Sequence, residues 1–171
     1  MSVCRARGSG PDSVVVTAEP LYFDDLHVGQ RITSSTTTID ETAIIAFASA
    51  FDPQPFHTDP TAARGSVFGG LIASGWHTAA LSMRLLVTSA PPIAGGLVGA
   101  GGEIAWPAPT RAGDILHIDA EVIAVTPSRS RPDRGIVTLR SETRNQRNEV
   151  AQIFTAKLVV PRRPAEAVAK E

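Results

Sequence analysis

The chain of 171 residues has a single cysteine, Cys4, which excludes an intrachain disulfide and any cysteine-built zinc module. Aromatic residues are scarce at 5%. None interleave with a basic run, as a stacking platform for single-stranded nucleic acid requires. Neither sign of charge is in excess: 16 Lys and Arg against 17 Asp and Glu give a formal net charge of −1. Wrapping of nucleic acid through bulk positive charge is therefore excluded, though a local basic patch is not. Long apolar runs are missing too. The opening MSVCRARGSGPDSVVV offers only three valines where a signal peptide needs a longer apolar stretch. The most apolar region, Ile72 to Val87, is interrupted by Ser74, Gly75, His77, Ser82 and Arg84. It reads as a buried helix rather than a membrane span. A cytoplasmic protein with neither membrane nor nucleic-acid partner is expected.

What is present is a globular balance, 43% hydrophobic and 19% charged, in a length suited to one domain. Residues 1–19, rich in Gly, Pro, Ser and Arg, read as an arm, and 161–171 as a tail. The folded body is then 20–160. Its first strand is expected over Gln30 to Ile39, loaded with Thr and Ile. Thr38 and Glu41 fit a capping box before a helix over 40–51, with Ile44, Ile45, Phe47 and Ala48 on its apolar side. Pro53 and Pro55 end it. Asp59-Pro60 suits an N-cap and first turn for a one-turn helix through Arg64. A longer helix is expected from Ile72 to Thr88, where Ile72, Trp76, Ala79, Ala80, Met83, Leu86 and Val87 recur at helical spacing. The remainder alternates as strands: Leu97 to Trp106, Leu116 to Val122, Ile136 to Arg144 and Val150 to Val160, with a turn at Asn145 to Asn148. Helices segregated from consecutive strands predict an α+β fold, an antiparallel sheet wrapped on one long helix. Trp76 and Trp106 are expected in the core or at a subunit contact.

Two clusters carry chemistry. In DPQPFHTDP, Asp52 and His57 lie on a proline-stiffened loop, and both residue types exchange protons when their surroundings tune them. Asp52 could equally cap a turn, and His57 could be a satisfied loop histidine. In FGGLIASGW, small residues open a helix, where free amides and the helix dipole favour a developing negative charge. Gly69, Gly70 and Gly75 could also serve tight packing alone. No third ligand joins His57 and Asp59, so no metal is expected. His77 is expected to be packed or on the surface, and His117 solvated. Arg129, Arg131 and Arg134 flank a loop that could grip phosphates or be a solvated hairpin.

Together, DPQPFHTDP and FGGLIASGWHTAAL resemble the composite motif of the MaoC-like dehydratases and (R)-specific enoyl-CoA hydratases, which have the hotdog fold. WPAPTRAGDIL is similar to a later family segment at Pro109, Gly113, Asp114 and Leu116. The resemblance spans roughly 20–160. It implies that Asp52 and His57 are the catalytic pair and that the Gly75 amide is the oxyanion donor. The reaction implied is reversible hydration of a trans-2-enoyl-CoA to a (R)-3-hydroxyacyl-CoA, with coenzyme A as part of the substrate and no metal or organic cofactor. Gly70, Ile72, Ser74, Arg129 and Arg131 are the expected substrate contacts, and a homodimer or higher homo-oligomer is implied. The sequence departs from the family at Gln54, where Asn is frequent, and at Ser74, where His is common. It also has Met83 where some hydratases carry a helix serine; Ser82, one position away, is turned by about 100°. Two alternatives remain at this level. One is a thioesterase using Glu103 or Asp52. The other is a non-catalytic acyl-CoA-binding subunit.

Overall fold

A computed structural model describes residues 19–164. Nearly all of the arm, Cys4 and the end of the tail lie outside them. Four long strands form the frame: β3 (Val98–Ala105), β4 (Ile115–Pro127), β5 (Arg134–Arg144) and β6 (Val150–Pro161). Two short ones, β1 (Arg31–Thr33) and β2 (Thr37–Thr38), both pair with β4. The sheet order is β1-β4-β5-β6-β3, and its ladders are antiparallel. The α+β reading holds: the sheet has one buried face, and helix α4 (Gly75–Ser89) lies on it. Alternation produces that face. Leu116, Ile118, Ala120 and Val122 of β4 and Val137 and Leu139 of β5 point inward against Leu85 and Leu86 of α4. Their neighbours point out, as period-two geometry requires.

Three smaller helices sit at one end: α1 (Glu41–Phe51), α2 (Pro55–Thr58) and α3 (Pro60–Arg64). Asp59 caps α3 as expected, accepting from the Thr61 and Ala62 amides at 2.7 and 3.2 Å. The cap of α1 differs from expectation. Asp40 rather than Thr38 fills it, accepting from the Ala43 amide at 2.7 Å, because Thr38 is held in β2. The strand expected over 30–39 is split by Ser34. Its amide donates to the Ile118 carbonyl and its hydroxyl accepts from the Ile118 amide, each at 2.9 Å. A side-chain oxygen thus replaces a ladder carbonyl and ends the strand.

Two further expectations are corrected. Helix α4 starts at Gly75, three residues later than Ile72, since Ser74 caps it. Its buried side is His77, Thr78, Ser82, Leu85 and Leu86, whereas Trp76, Met83 and Val87 are exposed. The tail also begins later than residue 161. Strand β6 includes Pro161, and the next two residues dock onto a 3-10 turn at Phe23–Asp25. There Arg162 pairs with Asp24 and covers the Phe23 ring, while Arg163 pairs with Asp25 at 2.9 Å and covers Tyr22.

Candidate active site

Asp52 is the residue on which α1 ends. Its amide still donates to the Ala48 carbonyl at 2.8 Å, and Pro53 then forbids another turn. Pro55 opens α2, which carries His57 back beneath the Asp52 carboxylate. His57 is 5% exposed, and its Nδ1 lies 2.8 Å from the Ile72 carbonyl oxygen. A carbonyl only accepts, so Nδ1 carries a proton and donates it. Nε2 is thereby left facing Oδ2 of Asp52 at 3.4 Å. The edge of Phe56 packs on the imidazole, with centroids 4.4 Å apart.

The carboxylate has two neutral donors. The Ser74 hydroxyl donates to Oδ2 at 2.7 Å, and the Gln54 side-chain amide to Oδ1 at 2.8 Å. These bonds favour the charged form, as does the His57 ring when it carries two protons. The Ser74 bond does most to hold Asp52 below its ordinary value of 3.8, against a desolvation that opposes it. Gln54 therefore has a definite task at a position where the sequence departs from the family.

Gly75 stands at the first position of α4, where an amide has no intrahelical acceptor. It takes none from the other described residues. A Cβ placed there would lie 2.7 Å from the Trp106 ring, so only glycine admits this packing. Trp106 is fixed in turn by its indole N–H, which donates at 3.0 Å to the side chain of buried Gln152. One cleft is lined by Asp52, Gln54, His57, Phe68, Ile72, Gly75, Trp106 and Thr110.

The structure thus brings together Asp52, His57, Gly75 and Ile72. Ser74 is adjacent but wholly buried, its hydroxyl spent on Asp52 and on the Trp76 amide. Gly70 lies outside the cleft lining, beside Arg111. Arg129 and Arg131 sit in the β4–β5 turn, at the other end of β4 from Thr110 and the cleft. Within one chain they do not join it. Glu103 lies exposed on edge strand β3. His77 is buried and stacked on Phe47 at 4.5 Å, and its Nδ1 has no partner. Burial pushes its pKa down.

The wall from Trp106 to Thr110 is what reading the sequence for acid–base residues missed. Its signal was present in WPAPTRAGDIL. Two polar contacts shape it: the Thr110 carbonyl accepts from the Ala73 amide at 2.8 Å, and Arg111 donates to the Phe68 carbonyl at 2.7 Å. Asp114, 2% exposed, accepts the Arg111 amide at 2.8 Å and closes the turn below.

Residues 25–145 match the MaoC like domain. The chain belongs to this family. A MaoC-like dehydratase from Rhodospirillum rubrum, known by crystal structure, is 61% identical. It superposes with a TM-score of 0.83 over 85% of this chain and 99% of that one. A 3-hydroxybutyryl-CoA dehydratase of Methylorubrum extorquens is 34% identical over 112 residues, 65% of this chain and 69% of that one. An (R)-hydratase from A. caviae is 28% identical, with a TM-score of 0.62 over 81% of this chain and 98% of that one. The fold is accordingly the hotdog of the MaoC-like family. The matched span contains every cleft-lining residue named above, while β6, beyond it, completes the sheet.

Proposed function

We propose that this MaoC-like protein is a hydro-lyase that reversibly adds water to a trans-2-enoyl-CoA, giving a (R)-3-hydroxyacyl-CoA. The observation that carries the reading is the meeting of Asp52 and His57 in one cleft with the unpartnered Gly75 amide. The activities of the relatives from Methylorubrum extorquens and A. caviae support the reaction class.

The chemistry follows from which atoms are free. In the neutral ring of His57 the lone pair is on Nε2, because Nδ1 donates to the Ile72 carbonyl. Asp52 is ionised and accepts only. A water between them gives one hydrogen to an Asp52 oxygen as a hydrogen bond and presents the other to Nε2. As Nε2 takes that proton, the water oxygen bonds to C3 of the enoyl thioester. The C2–C3 π electrons move to form an enolate, whose charge rests on the thioester oxygen. The Gly75 amide and the positive end of α4 stabilise that charge. The imidazolium, held by the Asp52 carboxylate, returns its proton to C2. Water has been added, and no proton remains on the protein. Dehydration is the reverse.

The unit is a homodimer in this reading. Trp76, Met83 and Val87 on the outer side of α4 are 60, 43 and 61% exposed, and Val98 of β3 is 51% exposed. A second copy placed there would cover an apolar helix face beside an open sheet edge.

The test follows loss of the conjugated-thioester absorbance of crotonyl-CoA and of longer and branched enoyl-CoAs. The unsubstituted chain is expected to turn over at least one of them. Asp52→Asn and His57→Ala are expected to lose roughly a hundredfold or more in kcat while remaining folded. No turnover of any enoyl-CoA or 3-hydroxyacyl-CoA in the panel, or full activity in both variants, overturns the reading.

A further inference from the structure

Ser74 is fully buried between the two halves of the cleft, and its one oxygen serves both. As an acceptor it takes the Trp76 amide at 3.2 Å and so caps α4, whose next residue presents the Gly75 amide. As a donor it gives its proton to Oδ2 of Asp52 at 2.7 Å. Oδ2 is also the oxygen that faces His57 Nε2. The hydroxyl has a single proton, so its direction is fixed: the amide can only donate to it, and the carboxylate can only accept from it. Ser74 has no exposed surface and its one proton is spent, so it has none to give a substrate in the cleft.

We propose that Ser74 is not a substrate contact but the positioning residue that fixes the Asp52 carboxylate to the first turn of α4, setting both its orientation and its acidity. The proposal rests on the hydratase reading only for its effect on turnover. The geometry explains why a small hydroxyl stands before Gly75 here. A residue fully buried against α1 must be small, must accept to cap the helix and must donate to the carboxylate. Serine meets all three requirements. Around Asp52, the ionisable neighbour within ion-pair distance among the described residues is His57 of α2. From α4 comes Ser74, and from the loop after α1 comes Gln54, neither of which titrates. Without the Ser74 bond the leading cause of the lowered Asp52 pKa is gone.

The experiment titrates the Asp52 side-chain carbon by carboxyl NMR in the full, substrate-free chain, with the resonance assigned through Asp52→Asn. Ser74→Ala is expected to move the Asp52 titration to higher pH. Ser74→Cys nearly preserves the volume and keeps a weak donor, so it is expected to move the titration less. It also decides the matter if the alanine variant does not fold. In the crotonyl-CoA assay, Ser74→Ala is expected to lower kcat about tenfold or more, the worth of one charge-assisted hydrogen bond. KM should change far less, and the acid limb of the pH profile should rise with the NMR titration. An unmoved Asp52 titration in a folded Ser74 variant overturns the proposal, as does a loss confined to KM. If the titration moves but no variant, nor the parent, hydrates any thioester, the positioning role stands and the hydratase reading falls.

Discussion

The Trp106 ring occupies the space where a side chain on Gly75 would begin, with a Cβ there only 2.7 Å from the nearest ring atom. Glycine at the start of a helix usually costs stability relative to alanine. Here the backbone has no positive φ to justify it, so the ring is the reason. The packing also brings an apolar wall against the amide proposed to meet the thioester oxygen.

Gly75→Ala is therefore expected to destabilise by about 1–3 kcal/mol, the usual cost of overpacking. It should also lower activity at least tenfold, since the amide or the wall must move. Adding Trp106→Ala should recover part of the stability but not the activity. Urea melts and the enoyl-CoA assay of both single variants and the double one check this. A neutral Gly75→Ala would show that the Trp106 wall yields easily.

A second relationship concerns how α4 seats on the sheet. Ser74, Thr78 and Ser82 recur every four residues on its inner side. Thr78 donates to Thr110 at 3.0 Å, and the Ser82 and Thr143 hydroxyls lie 2.6 Å apart. All four are buried. Thr143→Val leaves the Ser82 hydroxyl without its cross-partner, though still donating to the Thr78 carbonyl at 2.7 Å. A cost of about 1–3 kcal/mol is expected, with Ser82→Ala plus Thr143→Val costing less than the sum of the singles. Additive single effects in urea melts would mean the pair is uncoupled.

That hydroxyl stripe explains what the sequence did and did not disclose. Strands β4 and β5 were legible because their inner residues are mostly apolar and alternate with charged ones. Asp52, His57 and Gly75 were legible because proline and glycine mark their turns and because the motif resembles a family. The face of α4 was not. Apolar periodicity selected Trp76, Met83 and Val87, which point outward, because the inner face replaces apolar residues with paired hydroxyls. Periodicity finds an apolar face; it does not distinguish one covered by the chain's own sheet from one left exposed. Ser82 likewise faces Thr143, while Met83 is exposed. Split strands such as β1 and β2 depend on a single side-chain bond at Ser34, which composition does not reveal.

Acid stability should report the ion pairs of the outer sheet face. Glu142 accepts from Arg140 at 2.6 Å and pairs with Arg144. The Arg140 bond does most to hold its pKa below the ordinary 4.5. Because the folded value is lower, the unfolded chain binds the proton more readily. The stabilisation is thus fully present above about pH 4.5 and is lost as pH falls through the folded value. After solvent screening it is on the order of 1 kcal/mol or less. Glu142→Gln should be less stable than the parent at pH 7, and the gap should close on acidification and narrow in high salt. A gap independent of pH would assign the loss to packing.

The outward face of α4 gives the last test. Burying Trp76, Met83 and Val87 against a second copy would remove several large apolar side chains from water, each worth about 1.5–3 kcal/mol when fully covered. Strand β3 adds an edge that pairs with β6 on one side only, and its glycines at 99, 101 and 102 put no side chain in the way of a neighbour. Met83→Asp should introduce two charges, one per subunit, into the middle of that contact, where neither finds a partner. Sedimentation at micromolar concentration is expected to show a dimer for the parent and a monomer for Met83→Asp. Substitution of exposed Arg129, in the β4–β5 turn, should leave the dimer intact. A parent that sediments as a monomer would remove the contact, and a Met83→Asp variant that stays dimeric would place it elsewhere; either would leave the apolar side of α4 without this explanation.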